Sequence, residues 1–142
     1  MPTPFAALVP QAALAALQAR LKAAEPAFLA DLERLVNLDC GSYTRDGVNE
    51  VATWTAAFLV RLGGEVTRHP DPEGALGDTV EAVFRGVAGG PRALVIGHMD
   101  TVFPEGTAAA RPFAIRDGIA RGPGVTDMKS GLLTLLYGLE AA

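Results

Sequence analysis

The stretch VIGHMDTVFPEG, residues 95–106, decides how the rest of the chain is read. Apolar residues lead to Gly97, then come His98 and Asp100, then a turn containing Pro104. Taken back to Arg92, the segment RALVIGH, 92–98, holds a continuous apolar run. Such a run is expected of a strand covered on both faces. Side chains two apart on an extended strand point the same way, so His98 and Asp100 meet on one side of its C-terminal end. In layered α/β folds that end carries the ligand site. A histidine that binds a metal through one ring nitrogen gives its other N–H to a carboxylate or carbonyl, and Asp100 is placed to fill that role. The same pair also suits a structural histidine at a strand end, and H-x-D alone does not separate the two readings.

A second stretch, RGPGVTDMKSG, 121–131, adds a carboxylate. Gly122 and Gly124 flank Pro123 and permit backbone shapes that other residues resist. Asp127 follows, at the start of MKSGLLTLLYGLEAA, 128–142, which reads as an apolar helix. Asp127 is either an ordinary helix N-cap or a ligand for a cation. A phosphate loop is disfavoured, because the G-x-x-x-x-G-K-[ST] spacing is missing and an aspartate would repel an anion at a helix start.

Working outward, FAIRDGIARG, 113–122, reads as two short strands joined by Asp117-Gly118, a hairpin turn signal. EVTRH, 65–69, and TVEAVFRG, 79–86, read as strands separated by the loop PDPEGALGD, 70–78. A helix is expected over 48–62, where Val51, Trp54, Phe58, Leu59 and Leu62 recur at helical spacing and Gly63 is placed to cap the end. CGSYTRDG, 40–47, is a loop. Upstream, one helix is expected over 11–24 and a second over 26–37, with Pro26 in its first turn and Phe28, Leu29, Leu32, Leu35 and Val36 on its apolar face. Helices and strands in this order predict an α/β layered domain.

The chain has 142 residues, enough for one domain with a real core. Charged residues make up 20% and the net charge is −4, with the signs interspersed. No basic cluster appears, which argues against nucleic acid or an anionic membrane as partner. The single cysteine, Cys40, excludes an intrachain disulfide and reads as a small buried hydrophobe. No apolar run is long enough to span a bilayer. The N-terminus lacks the basic start of a signal peptide, so a cytoplasmic location is expected. His69, before Pro70, reads as a surface histidine, and Arg111 and Arg121 as solvated arginines.

Read together, GHMDTVFP, 97–104, and RGPGVTDMKSG, 121–131, with 29 residues from His98 to Asp127, resemble the acetylornithine deacetylase, succinyl-diaminopimelate desuccinylase and glutamate carboxypeptidase family of di-zinc metallopeptidases. Residues 28–70 are similar to that family's opening helices and first strand, most of all in its glutamate carboxypeptidase branch. The resemblance implies a three-layer α/β zinc-peptidase catalytic domain, with a central mixed sheet flanked by helices, incomplete at the C-terminus. Residues 1–25 would be a helical extension and 26–142 the N-terminal part of the catalytic domain, the remainder and a lid or dimerisation domain being absent. It implies His98 as a zinc ligand, Asp127 as the bridge between two zinc ions, and Asp100 as the catalytic-site residue that orients His98. It also implies a cis peptide at Asp127–Met128, whereas Lys129 and Gly131 match the motif without being ligands.

The implied reaction is hydrolysis of an amide bond next to a C-terminal amino acid, with water activated between two zinc ions and a glutamate as general base. That glutamate and the remaining ligands fall after the last residue of this sequence, so the 142-residue chain alone is expected to be inactive and to bind zinc weakly. The expected partner is a small peptide or N-acyl amino acid, and the full-length protein is expected to be a homodimer. Two other readings stand beside the carboxypeptidase: an N-acyl amino acid deacylase of the same family, and a non-catalytic binding domain that kept the fold.

Overall fold

The computed structural model describes residues 10–142, and it opens on one long helix where two are expected. Helix α1 runs unbroken over Gln11–Val36 with Pro26 inside it. Residues 1–9 of the expected N-terminal extension lie outside the described residues. Proline removes one helical N–H and crowds the carbonyl a turn earlier, here that of Lys22. Lys22 and Pro26 are both exposed, which leaves the freed carbonyl open to water. Packing then decides the outcome. Leu32, Leu35 and Val36 are buried and Phe28 is half-buried against the same core, so the helix is held by its C-terminal half. Pro26→Ala is therefore expected to stabilise the chain. Proline's helix penalty of about 3 kcal/mol is offset by the ~1 kcal/mol it contributes by restricting the unfolded chain. A gain of roughly 2 kcal/mol in urea denaturation is the result to look for; a loss would mean that the proline shapes the helix rather than merely being tolerated in it.

Helix α2 spans Arg45–Arg61, starting earlier than the expected 48. It ends as its sequence suggests. The N–H of Gly63 bonds Val60 O at 2.9 Å and that of Gly64 bonds Leu59 O at 3.0 Å, the paired closure of a Schellman motif. Strands β1 (Glu65–His69) and β2 (Thr79–Val83) follow as an antiparallel pair, with Glu65 opposite Val83 and His69 opposite Thr79. The second strand is shorter than the expected 79–86.

Residues 92–98 depart most from expectation. They form no strand, and Leu94 and Ile96 are 85% and 80% exposed. The reason is that strand structure belongs to a pair: without a neighbouring ladder the backbone groups of an apolar run bond water instead. Among the described residues the extended segment meets a partner just beyond its end, in an isolated parallel bridge between Gly41 and Thr101.

A short helix, α3 (Thr107–Ala110), leads to the expected hairpin, β3 (Ala114–Arg116) paired antiparallel with β4 (Ile119–Arg121). Its turn residues Asp117 and Gly118 both have positive φ, 54° and 73°, as a two-residue type I′ turn requires. A wide, irregular turn over Val125–Lys129 then feeds α4 (Ser130–Ala141). The core lies where α1, α2 and α4 meet: Leu35, Val51, Leu133 and Leu136 are fully buried. Tyr137 packs between Phe28 and Phe58, at ring centroid separations of 5.4 and 5.5 Å, and its hydroxyl donates to Asp31 Oδ2 at 2.7 Å. The observed architecture is thus mixed α/β, with small antiparallel sheets around a helical core. No helix among the described residues is long and apolar enough to cross a membrane.

Candidate functional site

His98, Asp100 and Asp127 come together although two of them lie far apart in sequence. The Nδ1 of His98 stands 3.1 Å from Asp100 Oδ1 and 3.0 Å from the Asp100 carbonyl. Its Nε2 stands 2.9 Å from Asp127 Oδ1. The imidazole is thus bracketed by two carboxylates. Partial burial works against a charged ring, but the hydrogen bond to Asp127 and the contacts with Asp100 outweigh it, and His98 titrates above the ordinary imidazole value.

Asp127 does not cap α4. No side-chain capping bond forms at that helix start, because Asp127 sits inside the preceding turn with extended backbone angles (φ −127°, ψ 99°). Its carboxylate meets His98 instead, so the helix-cap reading of Asp127 does not hold. The Asp127–Met128 peptide is cis. The glycine loop before it supports the same placement. Gly124 has φ 75°, and a Cβ there would stand 2.6 Å from Thr101 Cγ2, so only glycine lets the turn lie against the segment that carries His98 and Asp100.

Two cavities open on the site. One, of about 250 Å³, is bounded by His98, Asp100, Thr101, Gly124, Thr126 and Asp127. The other, of about 560 Å³, has His98, Asp100 and Ser42 at its margin and runs between β2, residues 93–97 and the apolar side of α4. Among the described residues, no cluster of three or more His, Cys, Asp or Glu stands in metal-binding geometry.

The other singled-out residues take quieter places. Cys40 is buried, its Sγ donates to Met99 O at 3.3 Å, and burial pushes its thiol pKa up against the opposing pull of Lys129; a protonated, covered thiol is a poor nucleophile. His69 lies exposed at the end of β1, 2.8 Å from Glu81 Oε2. Arg111 stacks over the Phe103 ring, 4.8 Å from its centroid, and Arg121 belongs to β4.

Three residues near the site make contacts that no motif announces. Lys129 is 1% exposed and donates from Nζ to Leu38 O at 2.9 Å. Asp39 accepts from the N–H groups of Gly106 and Ala108 at 2.7 and 2.8 Å, fixing the loop that follows Pro104. Ser42 donates to Asp100 Oδ2 at 2.5 Å. Each of these contacts spans more than fifty residues of sequence; in sequence Ser42 reads only as part of the loop 40–47, and Lys129 only as a motif position without a ligand role.

With this geometry in view, comparison with known proteins is informative. Residues 94–142 match the family model described as peptidase family M20/M25/M40. Carboxypeptidase G2 of Pseudomonas sp. (strain RS-16) is 34% identical over 116 residues, 82% of this chain and 28% of that protein. Cysteinylglycine-S-conjugate dipeptidase of Corynebacterium striatum is 35% identical over 99 residues, 67% of this chain and 21% of that protein. The chain therefore spans between a fifth and a third of the length of these relatives. The family model covers the segments that bring His98, Asp100 and Asp127 together, and the chain belongs to peptidase family M20/M25/M40, fitting its glutamate carboxypeptidase branch.

Proposed function

We propose that this chain supplies part of the active site of a zinc-dependent hydrolase of the carboxypeptidase type, one that cleaves an amide bond next to a C-terminal amino acid. The observation that carries the reading is the convergence of His98 Nε2 and Asp127 Oδ1 at 2.9 Å beside a cavity, with Asp100 on the far side of the ring. An imidazole nitrogen and a carboxylate oxygen are donors that zinc accepts. The set fits zinc in kind and falls short in number, since a catalytic zinc takes at least three protein ligands. In this reading His98 is a ligand, Asp127 bridges two ions, and Asp100 keeps the Nδ1 proton of His98 in place so that Nε2 remains free to donate its lone pair. Zinc, when bound, polarises the scissile carbonyl and makes water a nucleophile at neutral pH. With two donors, the 142-residue chain by itself binds zinc weakly and does not turn over substrate.

The exposed apolar run at 93–96 supports the rest of the architecture. Leu94 and Ile96 would be covered if residues 92–98 were the central strand of a three-layer domain with a mixed sheet, to which residues 26–142 contribute. Substrates in this reading are small peptides, with N-acyl amino acids as the second possibility, since carboxypeptidase and dipeptidase are the names its relatives carry. The protein works as a homodimer in the cytoplasm, where the unpaired Cys40 stays reduced.

The test is a hydrolysis panel of C-terminal dipeptides and N-acyl amino acids, run on the protein as its own gene encodes it. Activity that chelator removes and zinc restores is the expected result. Activity indifferent to chelator rejects the metal mechanism, and no activity on any amide favours a binding domain.

A further inference from the structure

We infer that Ser42 is a positioning residue for this centre, holding the carboxylate that holds His98; the inference rests on the zinc reading above. The two oxygens of Asp100 are divided between two partners. Oδ1 faces His98 Nδ1 at 3.1 Å, and Oδ2 accepts from Ser42 Oγ at 2.5 Å. Among the described residues no other side chain donates to Asp100. Its carboxylate is about one-third exposed, so without Ser42 it is free to rotate toward water and away from the ring. A hydrogen bond to an ionised carboxylate is the strong kind, and groups that orient a metal-bound histidine are worth about 10–100-fold in metal affinity.

The loop that carries Ser42 is itself fixed to the site segment. Ser42 N donates to Thr101 O at 3.0 Å and Thr101 N donates to Cys40 O at 2.8 Å, forming the parallel bridge at Gly41. The approach is close enough that a Cβ on Gly41 would stand 2.4 Å from the Phe103 carbonyl oxygen. Three residues before Gly41, Leu38 O receives the buried Lys129 Nζ at 2.9 Å, which ties the turn bearing Asp127 to the same loop. Residues 38–42 thus touch both halves of the centre, and the Ser42 hydroxyl is the one side-chain group of that loop that reaches its polar network directly. The main-chain bonds do not depend on the side chain at 42, so the hydroxyl can be removed without dismantling the loop.

The test compares zinc binding by the wild-type chain with Ser42→Ala, Ser42→Val and Ser42→Thr. The readout is the imidazole carbon-bound proton NMR signal of His98 at fixed pH as zinc is added stepwise. The chain has only two histidines, so His69→Gln assigns the signal. The Thr and Val variants share a shape and differ in the hydroxyl. Ser42→Ala and Ser42→Val are expected to need about tenfold more zinc for half-saturation, and Ser42→Thr to stay within about twofold of wild type. A merely structural role would penalise Thr and Val alike. Wild-type affinity in Ala and Val, or equal loss in Thr and Val, overturns the inference while leaving the metal reading intact. A His98 signal that zinc does not move in the wild-type chain removes both.

Discussion

His98→Ala is expected to abolish zinc binding by the chain, with a loss well beyond the roughly 100-fold that marks the upper end for groups that only orient a ligand. The melting temperature should scarcely move. The reason lies in the exposure of the groups concerned. The side chains of His98 and Asp127 are 46% and 82% exposed, and ion pairs in that setting contribute about 0–1 kcal/mol to stability. Holding an imidazole between two carboxylates therefore does little for the fold. Equilibrium dialysis against zinc, paired with thermal melts, separates the two effects. Asp127→Asn should weaken binding as well, because it removes the charge while keeping the shape. His69→Ala, which alters only the exposed pair with Glu81, should leave binding unchanged. Zinc affinity that survives His98→Ala but falls in His69→Ala would place the metal elsewhere.

The pairing of His98 with Asp127 was legible because two motifs, an H-x-D and a Gly-Pro-Gly turn ending in an aspartate, together resemble one family; neither motif alone carries it. The hairpin at Asp117-Gly118 was legible too, where the turn chemistry lies in two adjacent residues, and so was the close of α2 at Gly63. The failures have a common physical character. Pro26 signals a helix boundary only if its missing hydrogen bond is costly, and on an exposed face it is cheap. Residues 92–98 have a strand's composition, but a strand forms against a neighbour, and composition does not supply one. The roles of Ser42 and Lys129 arise from contacts to Asp100 and Leu38 across 58 and 91 residues. A serine in a polar loop has no periodicity to betray it. Lys129 matches the family motif without an assigned role, and its buried ammonium is satisfied by a backbone carbonyl inside the fold. The pairing of His98 with Asp127 had a motif to announce it, while the contacts of Ser42 and Lys129 had none.

Leu133→Ala should cost the chain about 2–5 kcal/mol, the range for truncating a leucine in a packed core. Leu133 is fully buried and belongs to the one apolar cluster that joins α1, α2 and α4, with Leu35, Val51 and Leu136. Truncation loses the transfer free energy of the missing carbons and leaves a void that neighbours on three helices cannot close without shifting together. Against a total stability of about 5–15 kcal/mol for a domain of ordinary size, that is a large share. In urea it appears as a midpoint lowered by roughly 1–3 M at an unchanged slope. The consequence for the site follows from chain order. Helix α4 begins directly after the turn that carries Asp127, and Lys129 is anchored at that junction. While the variant remains folded, zinc affinity should be that of wild type, because the junction is tied to the 38–42 loop rather than to the far side of α4. Zinc binding should vanish together with the helical signal as urea rises. A midpoint shift below about 0.3 M would show that the buried face of α4 is not what holds the helices together. Loss of zinc affinity in the still-folded variant would show that the core, and not the loop, sets the position of Asp127.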